Sequence, residues 1–176
     1  MAASGRRQFL IAATSALALV PVAAWLKRPA AVPGADGMTE HPGSLSTSPS
    51  TKSDAEWRAS LSREEYATLR QQATERPYSS PLDGEKRAGR FVCAGCAQPL
   101  FASSTKFESG TGWPSFWEPL DGAVGTRVDR GWLSVRTEVH CARCGGHLGH
   151  VFPDGPRPTG LRYCMNGIAL RFEARA

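Results

Sequence analysis

The sequence predicts a mainly β protein, built as a small antiparallel β domain with short helices at its N-terminal end. Downstream of Pro81, short apolar runs are separated by glycine and proline, a pattern typical of strands joined by turns. Residues 133–140 alternate between apolar and polar side chains, as a strand with one buried face does. Upstream, a capping box at Ser62 indicates a helix. The length of 176 residues suits one such domain with tails.

Residues 1–31 have the layout of an export signal. Arg6 and Arg7 precede the apolar run Phe9–Leu19, and a group of small residues follows. The paired arginines resemble the signal of the twin-arginine translocase, which carries folded proteins, so we expect export to the periplasm. Two outcomes stay open, because the leader is either cleaved at the small residues or kept as a membrane anchor over residues 9–26.

Residues 32–52 are predicted to form a flexible linker. They are rich in proline, glycine, serine and threonine and contain few large apolar side chains. Such a segment cannot bury enough surface to offset the entropy lost on ordering. The alternative, a structured loop, is less favoured because loops of this length are uncommon inside compact domains. The folded domain is therefore expected over residues 53–176.

Two helices are predicted at the start of this domain. Ser62 and Glu65 have the spacing of a capping box, which places the first residue of a helix at Arg63. Apolar residues follow at helical spacing, and Pro77 comes shortly after the run ends. A shorter helical turn is expected over residues 54–59.

Two strands stand out in the remainder of the chain. In the alternating run 133–140, Val135, Thr137 and Val139 are predicted to face the core, and Glu138 is predicted to lie on the polar face. A second strand is expected from Arg162 to Phe172.

The charge pattern predicts no nucleic-acid partner. The net charge is +5, and two of the positive charges belong to the leader. The other basic residues are dispersed among acidic ones, so no continuous basic stripe is formed.

Four of the five cysteines form two CxxC pairs, Cys93 with Cys96 and Cys141 with Cys144. This doubled spacing is what a tetrahedral four-thiolate zinc site requires, so we predict one structural zinc ion. The ion would cross-link distant parts of the sheet, because a long segment separates the pairs. The alternative is two disulfides, which an oxidising compartment favours; binding of metal before export would protect the thiols.

The fifth cysteine, Cys164, has no partner once the other four bind zinc. It is therefore either buried filler or a reactive thiol. His147 and His150 follow the second CxxC pair directly, and two imidazoles near a spare thiol favour proton transfer. Trp113 lies in a glycine-flanked stretch, where it either packs in the core or faces a ligand.

Taken together, these motifs resemble the methionine (R)-sulfoxide reductase B family. The resemblance extends over residues 54–172 and implies the β-tent, or Mss4-like, fold for the catalytic domain. The matching motifs are Gly112–Phe116, Arg136–Val139, the two CxxC pairs, His147–Phe152, and Arg162–Cys164 with Asn166.

The resemblance implies repair of oxidised methionine, protein-bound or free. Cys164 would be the nucleophile that attacks the sulfoxide sulfur and becomes a sulfenic acid. His147 and His150 would hold or protonate the sulfoxide oxygen, and Asn166 would support their hydrogen bonds. Trp113 would pack against the substrate methyl group, which an aromatic wall accepts well.

The sequence departs from many relatives at Thr111, where they have a cysteine that resolves the sulfenic acid. With the remaining cysteines committed to zinc, the resemblance implies recycling by an external thiol or a thioredoxin-like reductant. Arg162 and the imidazoles also suggest a lowered pKa for Cys164.

Two rival functions remain open on sequence alone. One is a zinc-stabilised binding module in which Trp113 and Phe116 form a docking surface and Cys164 is inert. The other is a different sulfur-redox enzyme on the same scaffold. Labelling of Cys164 by a mild thiol reagent separates the first rival from a reductase, because an inert buried thiol stays silent.

Overall fold

The computed structural model describes residues 52–130 and 135–175. The predicted leader, all of the linker except Lys52, and residues 133 and 134 of the predicted strand lie outside the described residues. Within the described part, no helix combines the length and the apolar character that crossing a membrane requires.

Two short helices open the domain, α1 over Asp54–Ser60 and α2 over Arg63–Gln71. Each begins with a complete capping box, in which a serine side chain and a glutamate side chain satisfy each other's backbone N–H groups. The predicted start at Arg63 is confirmed. Trp57 and Leu69 are buried, so both helices pack an apolar face against the rest of the domain.

Antiparallel strands are the main regular structure of the described residues, as predicted. They form a three-stranded sheet in the order β2-β1-β9 and a six-stranded sheet in the order β3-β4-β8-β7-β6-β5. The strands are β1 Gly89–Cys93, β2 Pro99–Ala102, β3 Lys106–Phe107, β4 Ser115–Phe116, β5 Val124–Arg130, β6 Val135–Cys141, β7 His147–Phe152, β8 Arg162–Met165 and β9 Leu170–Ala174.

Phenylalanine side chains join the two sheets in one core. Phe91 and Phe101 of the smaller sheet and Phe116 of the larger one are fully buried. The rings of Phe101 and Phe116 stack at 4.3 Å, and Phe91 meets Phe116 edge-on at 4.9 Å. Each buried ring contributes about 1.5–3 kcal/mol relative to an exposed one. This core fixes the strands that carry the candidate site.

The predicted faces of the 133–140 strand are wrong at three positions, one of which is Thr137, predicted on the buried face but exposed. Val135 is 68% exposed, whereas Glu138 is buried. Val135 pairs with Arg130 at the last register position of β5 and β6, away from the core. Glu138 can be buried because Arg127 neutralises its carboxylate and His147 hydrogen-bonds it.

The predicted strand 162–172 is two strands in different sheets. A 3-10 turn at Gly167–Ala169 separates β8 from β9. The N–H groups of Gly167 and Ile168 donate to the carboxylate of Glu75, so a side chain replaces the strand partner there. The chain therefore leaves the larger sheet directly after Asn166.

Candidate active site and metal centre

The sulfur atoms of the two CxxC pairs lie within 4.8 Å of one another. Cys93 and Cys144 are 3.7 Å apart, and Cys96 and Cys141 are 3.6 Å apart. Four sulfurs at about 2.3 Å from a tetrahedral zinc ion are separated by about 3.8 Å, so the cluster fits one zinc ion. A disulfide requires about 2.05 Å, so the alternative of two disulfides does not describe this arrangement.

Ionisation of the four thiols also favours a bound cation. Hydrogen bonds within the cluster lower the pKa of Cys96 and Cys144 and raise the pKa of Cys93 and Cys141. Four thiolates in this buried space would repel one another, and a divalent ion removes that cost by binding all of them.

The metal centre connects the two sheets. Cys93 ends β1 of the smaller sheet, and Cys141 ends β6 of the larger one. Helix α2 lies over the centre, since Arg70 donates to the carbonyl of Cys144 at 3.0 Å. Strand β7 starts directly after the second pair, so the predicted zinc cross-link also anchors the segment that carries His147.

A separate cavity of 120 Å³ surrounds the fifth cysteine. It draws residues from the segment after α2, the β3–β4 loop and strands β6, β7 and β8, so only the tertiary fold assembles it. Its lining residues are Thr74, Trp113, Arg136, Gly149, His150, Phe152, Cys164 and Asn166.

Cys164 lies within β8, with Ser115 of β4 on one side and His150 of β7 on the other. Its thiol is half-buried, and burial raises its pKa above the ordinary value although Thr111, Arg162 and Ser115 each lower it in part. The predicted lowering of this pKa is therefore wrong, because loss of solvent outweighs the nearby positive charge. The hydroxyl of Thr111 is 3.8 Å from the sulfur.

His150 is held by an acidic residue that belongs to none of the matching sequence motifs. Its Nε2 is 2.8 Å from Oδ2 of Asp129, which also accepts from Arg136 at 2.9 Å. The hydrogen bonds from His150 and Arg136 lower the pKa of Asp129, so Asp129 is an ionised acceptor. Nε2 therefore carries hydrogen, and Nδ1 is the ring nitrogen left to exchange a proton.

His147 does not line the cavity. Its ring centroid is 5.4 Å from that of His150, and its Nδ1 is 2.8 Å from Oε1 of Glu138. Burial lowers the pKa of His147, and Glu138 opposes this only in part. The neutral ring thus donates from Nδ1, and its buried Nε2 has no partner among the described residues.

Trp113 and Asn166 border the cavity from different loops. Asn166 is buried, and its Nδ2 donates to the carbonyl of Leu148 at 3.1 Å. Its Oδ1 accepts from the backbone N–H of Glu75 at 3.1 Å, and Trp113 Nε1 donates to the carbonyl of Glu75 at 3.2 Å. The structure thus brings Cys164, His150, Trp113 and Asn166 together.

Sequence reasoning missed three supporting residues: Glu75, Asp129 and Glu138 as a buried acid. The motif containing Arg136 and Glu138 was noted, and it is the one signal that pointed to this part of the site. Glu75 and Asp129 stand outside the matching motifs.

The division of the cysteines, four around a metal and one opening onto a cavity beside an imidazole, defines a zinc-stabilised thiol oxidoreductase. The sequence pattern of the SelR domain matches residues 61–174. The chain belongs to this family, the methionine (R)-sulfoxide reductase B family, as its motifs predicted.

Three relatives, each called peptide methionine sulfoxide reductase MsrB, illustrate the similarity. The protein from Agrobacterium fabrum is 55% identical over 129 residues, which cover 72% of this chain and 96% of the relative. That from Bradyrhizobium diazoefficiens is 54% identical over 70% of this chain and 90% of its own length. That from Thiobacillus denitrificans is 54% identical, over 70% and 95%.

Proposed function

We propose that this protein reduces methionine (R)-sulfoxide to methionine, with Cys164 as the nucleophile. The observation that carries the proposal is the cavity itself, which places a thiol, an imidazole and an aromatic wall around one small volume. Membership of the family supplies the substrate class and the choice of epimer.

The chemistry follows from these groups. The sulfur of Cys164 attacks the sulfoxide sulfur, the oxygen passes to Cys164 as a sulfenic acid, and methionine leaves. Trp113 packs against the substrate methyl group, since an aromatic face accepts the apolar end of the sulfoxide. The oxygen then lies toward His150 and Asn166.

His150 is the group that moves the proton. Since burial raises the pKa of Cys164, the free enzyme holds a thiol whose proton is available to the sulfoxide oxygen. His150 is the register partner of Cys164, and its Nδ1 relays that proton while Asp129 holds Nε2. His147 acts from outside the cavity, by packing against His150.

Recycling requires an external thiol or a thioredoxin-like reductant. Thr111 stands 3.8 Å from the sulfur of Cys164 and offers no thiol, and the remaining cysteines fit the metal. Two external thiols convert the sulfenic acid to thiol and water and become a disulfide.

We also propose that the protein acts outside the cytoplasm, after export directed by residues 1–31. The paired arginines support transport by the twin-arginine translocase, which suits a domain that binds metal before crossing. Replacing Arg6 and Arg7 by lysine should retain the full-length chain in the cytoplasm. Unchanged periplasmic recovery of the double variant would rule out this route.

The function is tested by stereospecific turnover. The zinc-loaded protein is assayed with dithiothreitol and, separately, the R and S epimers of a blocked methionine sulfoxide. We expect turnover of the R epimer alone and its loss in Cys164→Ser. If the folded, metal-bound protein turns over neither epimer, the reductase proposal fails and the binding module becomes the leading alternative.

A further inference from the structure

Glu75 hydrogen-bonds two walls of the cavity although it does not line the cavity itself. Its backbone N–H donates to Asn166 Oδ1 at 3.1 Å, and its carbonyl accepts from Trp113 Nε1 at 3.2 Å. Trp113 belongs to the β3–β4 loop, whereas Asn166 follows β8. The backbone of Glu75 thus links the Trp113 ring to the side-chain amide of Asn166, and both of these groups line the cavity.

The side chain of Glu75 fixes that segment in place. Its carboxylate accepts from the N–H of Gly167 and from the N–H of Ile168, the latter at 3.1 Å. These two amides directly follow Asn166. Gly167 permits the close packing of Ser80 and Glu75 here, because a Cβ at this position would lie 2.0 Å from the hydroxyl of Ser80 and 3.2 Å from Oε1 of Glu75.

Neighbouring residues strengthen the connection. Thr74 lines the cavity. Tyr78 donates from its backbone N–H to the carbonyl of Gly112 and from its hydroxyl to the carbonyl of Gly110, each at 2.7 Å. The segment 74–78 therefore holds the loop that presents Trp113 as well as the connection that presents Asn166.

We infer that Glu75 is a positioning residue, which sets the separation of Trp113 and Asn166 and thereby the affinity and epimer preference of the site. This inference rests on the proposed reductase function. The carboxylate provides acceptors for two N–H groups, whereas a glutamine provides one acceptor oxygen and turns a donor toward the other. Glu75→Gln should therefore release one amide and loosen both walls.

The test compares Glu75→Gln with Glu64→Gln, an exposed glutamate on α2 that borders the same 940 Å³ groove as Glu75. In zinc-loaded protein, we expect Glu75→Gln to lower kcat/KM for the R epimer about 10- to 100-fold, since small displacements of positioning groups have effects of this size. The control should match the parent. Turnover of the S epimer, which is not expected of the parent, should become measurable in Glu75→Gln.

A double-mutant cycle with Trp113→Phe, which removes the indole donor, separates positioning from general destabilisation. Coupled losses in kcat/KM indicate that Glu75 acts through Trp113, and simple addition would overturn the inference. Should Glu75→Gln lose zinc, the same cycle is run with Glu75→Asp, which keeps the charge but shortens its reach. If the parent protein is inactive, the proposed reductase function is wrong. If the parent is active and Glu75→Gln is equally active, only this inference is wrong.

Discussion

At the scale of single residues, the groups around Cys164 have opposing effects on the pKa of its thiol. Burial disfavours the thiolate, while the hydroxyl of Thr111 and the positive charge of Arg162 favour it, and burial dominates. In the proposed mechanism, the resting thiol is less reactive toward oxidants than a thiolate, and the substrate sulfoxide provides the acceptor for its proton.

Alkylation of Cys164 should reflect this raised pKa. We expect the rate of reaction with iodoacetamide to rise with pH, because only the thiolate reacts. The midpoint of this rise should lie above that of an ordinary cysteine. Arg162→Gln should slow the reaction at neutral pH by removing a charge that lowers the pKa. Arg63→Gln, an exposed change on α2, serves as the control. A midpoint below the ordinary range would contradict this account.

Replacing Asp129 should reduce activity as much as replacing His150, whose imidazole it holds. Asp129→Asn replaces the acceptor at His150 Nε2 with an amide that is free to present N–H, which favours the other tautomer. We expect kcat to fall about 100-fold, within the range found for loss of acid–base catalysis. Alkylation of Cys164 should change little, so equal losses in both measurements would argue for a structural effect instead.

At the scale of elements, the β3–β4 loop decides how the enzyme is recycled. It carries Trp113 to the wall of the cavity and also places Thr111 against the thiol. Ser109 holds this turn by hydrogen bonds to Thr111 at 2.8 Å and Ser115 at 2.7 Å. The loop thus places the side chain of residue 111 against Cys164.

Thr111→Cys should give the enzyme an internal resolving thiol. The present distance of 3.8 Å between Oγ1 and Sγ is short enough for a small rotation to form a disulfide. After one turnover without reductant, mass spectrometry should show a disulfide between positions 111 and 164. Thr111→Ser is the matched control and should instead yield a sulfenic acid that a dione reagent traps, as should the parent.

At the scale of the whole molecule, the metal centre and the phenylalanine core join the two sheets. The core contacts involve Phe91, Phe101 and Phe116, whereas the metal ties the end of β1 to the end of β6. Since β7 begins beside the centre, the position of His150 depends on the same cross-link.

Removal of zinc should cost about as much free energy as the domain has, about 5–15 kcal/mol. We expect chelation to abolish the cooperative thermal transition and, with it, the activity. Readdition of zinc to reduced protein should restore both. A chelated protein that keeps the transition temperature of the loaded protein would show that the centre has no structural role.

The features that the sequence determined by itself are local or compositional. Ser62 caps α2 because its partner Glu65 is three residues away, and each CxxC pair presents two thiols from one turn. Cys164 stood out because the other cysteines were already matched. These patterns act over a few residues, so they predict helices, metal ligands and the family without knowledge of the fold.

Tertiary structure alone decided the rest. It buried Glu138, exposed Val135, placed His147 behind His150 rather than in the cavity lining, and brought Asp129 and Glu75 to the site. Each outcome depends on strand register and on which distant side chain neutralises a buried charge. Alternation along one strand indicated the buried position of Val139, but it does not show where the strand leaves the core or which distant side chain pairs with a buried charge.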